Sequence, residues 1–138
     1  MAKEYTEDER KHLEFVQDII TRMNRCSFQL KQWMVTLVAA ILGLSISVAK
    51  SELVLVSLFP IFIFWLLDGY YLHQERKYRK LYQMIIQGCD QNRIYNLNAS
   101  NYLPGFCEYI KVVFSETIWP LYISTCILII SLFLFQYH

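Results

Sequence analysis

Three apolar runs divide the chain. Residues 33–49 (WMVTLVAAILGLSISVA) and 53–72 (LVLVSLFPIFIFWLLDGYYL) are separated only by Lys50-Ser51-Glu52, and a third run covers 117–135. The first two approach the roughly 20 residues a helix needs to cross a bilayer. A connector this short makes them antiparallel neighbours. The flanks of this hairpin keep a helical period of their own. Over 6–32, Leu13, Val16, Ile20, Met23, Ser27 and Leu30 form a heptad seam interrupted at Ser27, widened by Phe15 and Ile19. Thr6 and Glu9 have the capping-box spacing that starts a helix. No Pro or Gly lies between Thr6 and Gly43, so a single helix is predicted from the polar flank into the first run, with Asn24–Ser27 its weakest stretch. Over 73–88, Tyr78, Leu81, Tyr82 and Ile85 repeat helically, and Gly88 is placed to close the helix. Pro60 predicts a bend in the second run.

The two flanks can be paired through the helix rise. For a turn near Ser51, opposed residues have numbers summing to about 102. Ile20 then faces Tyr82, Val16 faces Ile86, Leu13 faces Cys89 and Leu30 faces Leu72. Apolar positions meet apolar positions, and agreement between independent patterns favours a long two-helix stalk continuous with the hairpin.

The remainder reads as a polar, Asn-rich linker (89–105), a short interfacial helix (106–116) and the third apolar run (117–135). Lysine and arginine set the orientation. Arg22, Arg25 and Lys31 precede the first run, Arg76, Lys77, Arg79 and Lys80 follow the second, and Lys111 precedes the third; only Lys50 lies on the other side. The expected fold is all-α: one integral membrane unit with three transmembrane helices and a long antiparallel helical hairpin reaching into the cytoplasm. The expected location is the bacterial inner membrane, N-terminus cytoplasmic and C-terminus outside.

Composition supports this reading and excludes others. The 138 residues are 55% hydrophobic and 18% charged, an unusual concentration for a soluble domain of this length. A formal net charge of +1 argues against nucleic-acid binding. The polar, acidic start MAKEYTEDERKHLEF lacks the form of a cleavable signal. Cys26, Cys89, Cys107 and Cys126 have no metal-like spacing and are expected as thiols. No P-loop, GxSxG, GxGxxG or HExxH is present, so neither an enzyme nor a cofactor nor a metal site is expected.

Three groups of residues stand out. Asp68 is the one acid well inside an apolar run, and the helix rise puts it within about a turn of Lys31 and Gln32. An ion pair at the joint between stalk and membrane is the structural expectation, a proton or ion site the sharper one. Ala39, Gly43 and Ser47 recur at four-residue intervals, the spacing of close helix packing, either inside the hairpin or against another subunit or pore. Arg76, Lys77, Arg79 and Lys80 suit contact with anionic lipid or docking of an acidic partner.

Two stretches carry a resemblance. RMNRCSFQLKQWMVTLVAAI (22–41) and FPIFIFWLLDGYYLHQERKYRKLY (59–82) resemble a widespread family of small bacterial membrane proteins. Arg22, Met23, Ser27, Phe28, Lys31 and Trp33 match its entry to the first span. Trp65, Asp68, Tyr70, Tyr71, Gln74, Glu75 and Arg76 match its exit from the second. The architecture is also similar to the SLATT-type and CRISPR-associated membrane effectors of phage defence, although the third run lies outside their two-span pattern. The resemblance implies an oligomeric, channel-like effector triggered by a cytoplasmic signal. The alternative is a non-conducting anchor or regulatory subunit that recruits a soluble partner.

Overall fold

The computed structural model describes residues 6–48, 52–87, 97–100, 102–103 and 105–137. All regular elements among them are helices: α1 (Glu7–Val48), α2 (Glu52–Val56), α3 (Leu58–Ile86), α4 (Phe106–Val113) and α5 (Trp119–Tyr137). The first is unbroken for 42 residues. Its start is the reciprocal cap: Thr6 N–H donates to Glu9 Oε2 (2.8 Å) and Glu9 N–H to Thr6 Oγ1 (3.4 Å). Glu7–Val48 and Glu52–Ile86 are each long and apolar enough to cross a membrane; α5 is apolar but shorter by the same measure.

α1 and α3 pack antiparallel along most of their length, α4 lies on α3, and α5 covers α2 and α3. One core joins Met34, Val38, Val54, Ile61, Val112, Ile118, Tyr122 and Ile129 in the apolar half. A second, in the polar half, joins Val16, Leu81 and Ala99, with Ile20, Tyr78, Tyr82 and Ile85 packed around them. Leu97 and Tyr102 belong to that second cluster, so this part of the linker straps the stalk.

Three expectations change. The second run is interrupted at Ser57, before Pro60, and α3 begins at Leu58. Proline cannot donate to the carbonyl four residues back and its ring crowds that group, so Pro60 is accommodated in the first turn of a new helix. Ser57 seals the break, its hydroxyl donating to the Val54 carbonyl at 2.6 Å. The pairing register is also shifted. Val16 is fully buried with Leu81, whereas Ile86, expected opposite Val16, is 41% exposed. A buried polar contact at Asp68, described below, fixes the offset of the two helices in place of the turn. The proposed Leu13–Cys89 contact and the closure at Gly88 lie outside the described residues. Finally, Ala39, Gly43 and Ser47 do not pack inside the hairpin. All three are exposed, and a Cβ on Gly43 would meet nothing within 4 Å.

Candidate functional site: the Asp68 junction

The helices converge on one turn of α3, Trp65-Leu66-Leu67-Asp68-Gly69. Asp68 is fully buried. Ser27 and Lys31, one turn apart on α1, both reach it. The Ser27 hydroxyl donates to Asp68 Oδ1, and the Lys31 ammonium lies 2.6 Å from Oδ2 while donating to Ser27 Oγ at 2.9 Å. From α5, the Tyr122 hydroxyl lies 3.2 Å from the same Oδ2 and 3.4 Å from the Phe64 carbonyl. One carboxylate thus collects an ammonium and two hydroxyls from two other helices. Charge-assisted bonds of this kind are the stronger class, and they offset the desolvation that an isolated buried carboxylate suffers.

The surroundings hold this group rigidly. Trp65 stacks on Tyr122 with ring centroids 6.2 Å apart and donates its Nε1–H to the Val113 carbonyl at 3.0 Å. Phe114 meets the same indole edge-on at 5.3 Å. Gly69 lets α4 approach: a Cβ there would come within 2.5 Å of Val113 Cγ2. Tyr109 adds a bond from its hydroxyl to the Leu66 carbonyl at 2.9 Å. On the α1 side the Lys31 side chain keeps 22% exposure beside a shallow crevice lined by Gln32, Val35 and Thr36.

The sequence brought Lys31 near Asp68 but missed two partners. Ser27 was visible as the flaw in the heptad seam. A polar residue at a seam position is the signal that something polar faces it. Tyr122 gave less warning, since an aromatic near the start of an apolar run also fits an interfacial belt. The basic cluster does not act as one unit. Arg79 donates to Glu75 at 2.7 Å, a carboxylate only 5% exposed, whereas Arg76 and Lys77 lie near His73. Among the described residues, no group of three or more His, Cys, Asp or Glu side chains could hold a metal ion.

Comparison with protein-family models, curated proteins and solved structures finds nothing that matches this chain. The arrangement must therefore be read on its own chemistry. A carboxylate with every strong partner drawn from other helices is suited to locking helices together.

Proposed function

We propose that the chain crosses a bilayer three times, through 33–48, 52–72 and 119–135, and acts as an oligomeric, channel-like membrane effector worked through its stalk. The observation that carries the membrane reading is exposed apolar surface. Only 17% of the most apolar window of α1 and 33% of that of α2–α3 are buried, unlike the core helices of a soluble protein. Trp33 (68%), Ile46 (70%), Phe59 (71%) and Phe135 (83%) are largely open. Each such side chain gains about 1.5–3 kcal/mol when an apolar phase covers it. The orientation rests on the basic residues gathered at one end, from Arg22 to Lys31, Arg76 to Lys80, and Lys111.

The effector reading is supported by the continuity of α1 and by the Asp68 junction. A tilt of the stalk is transmitted into the apolar half through an unbroken helix, and Asp68 passes it to α5. The outward Ala39-Gly43-Ser47 stripe suits contact with a second copy, because small residues allow close helix approach. The resemblance to effectors of phage defence in the bacterial inner membrane points the same way. Anionic lipid is the expected partner of Arg76, Lys77 and Lys80.

Reconstitution into liposomes tests this reading. Ion or dye release on addition of a trigger is expected, with a mass in nanodiscs above that of one chain. Tight vesicles under every ligand, voltage and lysate tested, or a strict monomer, would remove the effector. Asp68→Asn is expected to reduce folded yield; normal yield with lost release would make Asp68 a working carboxylate. A second reading, a non-conducting anchor, has one feature in its favour. A groove of about 250 Å³ on the stalk, lined by Phe15, Asp18, Ile19, Arg22 and Leu97, could seat a soluble partner.

A further inference from the structure

One turn beyond the Asp68 junction, α3 buries a second ionisable side chain in a contrasting way. His73 is 6% exposed, and its Nδ1 has no hydrogen-bond partner among the described residues. Its ring meets Tyr109 of α4 edge-on, centroids 6.0 Å apart. The contact continues the α3–α4 seam. Gly69 takes Val113 and His73 takes Tyr109, four residues further along each helix in opposite directions. Undocking α4 would uncover the imidazole.

The charged groups acting on His73 among the described residues are Lys77 and Arg76 on its own helix and Glu108 on α4; Tyr109 is the titratable group in contact. Burial, then Lys77, hold its pKa below 6.5; Glu108 opposes them and Arg76 adds to them. Glu108 is already committed, bonded to Lys111 at 2.7 Å, and this lysine holds its carboxyl below the usual range. It therefore stays ionised through the pH range in which His73 titrates.

We propose that α4 is a proton-released clamp: uncharged His73 holds it against α3, and protonation of His73 frees it. An imidazolium in this position would have two donors to satisfy, one of them Nδ1, which finds no acceptor, in a buried place beside two cations. The sign follows from linkage. Docking favours the uncharged base, so the contact is at full strength above pH 6.5, weakens as pH falls below that value, and levels off below the lowered docked pKa. Each unit by which docking lowers the pKa is worth about a tenfold change in the open population. The device concerns docking, not conductance, so it stands or falls apart from the effector reading.

Hydrogen exchange of the full chain in nanodiscs, corrected for the chemical exchange rate at each pH, tests it. The amides of Tyr109–Val113 are expected to lose protection several-fold between pH 7.5 and pH 5, with α5 unchanged, and His73→Gln is expected to abolish the dependence. Constant α4 protection in the native chain, or an unaltered transition in His73→Gln, overturns the clamp. Should His73→Gln fail to fold, Glu108→Gln decides. Removing the one anion that favours the docked imidazolium lowers the docked pKa further, so the loss of α4 protection between pH 7.5 and pH 5 must grow, and a loss that is unchanged or smaller overturns the proposal.

Discussion

Asp68 and His73 sit five residues apart on α3, both nearly sealed from solvent, and the helix treats them in opposite ways. Asp68 receives an ammonium and two hydroxyls from α1 and α5; His73 has an orphaned Nδ1 and an aromatic edge. A buried charge persists only with partners, whereas a buried base can persist by remaining neutral. The first arrangement ties three helices together through one carboxylate. The second holds one short helix on condition that no proton arrives. A permanent joint and a conditional one thus occupy adjacent stretches of α3.

The largest expected effect comes from breaking the permanent joint. Asp68→Ala removes the counter-charge of the Lys31 ammonium and an acceptor shared by the Ser27 and Tyr122 hydroxyls, and removing one partner of a buried pair costs up to about 3–5 kcal/mol. A thermal melt in detergent should show a large loss of stability. Because the penalty lies in the orphaned lysine, the double change Asp68→Leu with Lys31→Met should recover most of it. Recovery would identify the pair as an architectural lock; persistent loss would mean that Ser27 and Tyr122 depend on the carboxylate directly.

Tyr122→Phe is the next step down. It keeps the ring stacked on Trp65 and removes only the hydroxyl beside Asp68. A hydrogen bond to a charged group contributes about 1.5–3 kcal/mol, and the 3.2 Å separation puts this one toward the lower end. The loss should appear selectively as faster exchange or proteolysis of α5, with α1 and α3 still paired through Lys31. Unchanged exchange of α5 would show that it is held by apolar contact alone.

How much of this junction was legible follows from what each residue's neighbourhood repeats. Asp68 and Lys31 could be brought together because both lie on helices of regular rise joined by a short turn. Ser27 announced itself by occupying an apolar position. Tyr122 could not be placed, because α5 is apolar on every side and no local period says which face turns inward. The Ser57 break was displaced from the bend expected at Pro60 for a similar reason. The sequence shows where a backbone bond is missing, while the position of the break depends on how the first turn of α3 absorbs it. The burial of His73 carries no local signal, since α4, which covers it, comes more than thirty positions later in the chain.

Gly69→Ala sharpens the contrast by loosening α4 without altering a charge. The added Cβ would meet Val113 Cγ2 at 2.5 Å, and Val113 is 2% exposed, so the contact must open. Overpacking costs about 1–3 kcal/mol, and the helix gains back up to about 1 kcal/mol from alanine. The net loss should fall on α4, and His73, partly uncovered, should titrate nearer its ordinary 6.5. Val113→Ala in the same chain should restore both stability and the lowered titration. An NMR titration of labelled histidine reads the two effects separately.

The smallest effect belongs to the third buried ionisable group of α3. Glu75 is nearly covered, yet its partner Arg79 leaves 62% of its side chain in solvent, four residues along the same helix. The order, glutamate before arginine at this spacing, is the favourable one, but such pairs are worth only about 0.3–0.5 kcal/mol when exposed. Arg79→Ala should therefore shift a melting curve barely beyond error, despite removing an ion pair as short in distance as that of Lys31. The reason is that Arg79 reaches Glu75 from the same helix with most of its side chain in solvent, whereas the partners of Asp68 come from other helices. If Arg79→Ala proved as damaging as Asp68→Ala, pair distance rather than the origin of the partners would govern α3, and the division between its permanent and conditional joints would collapse.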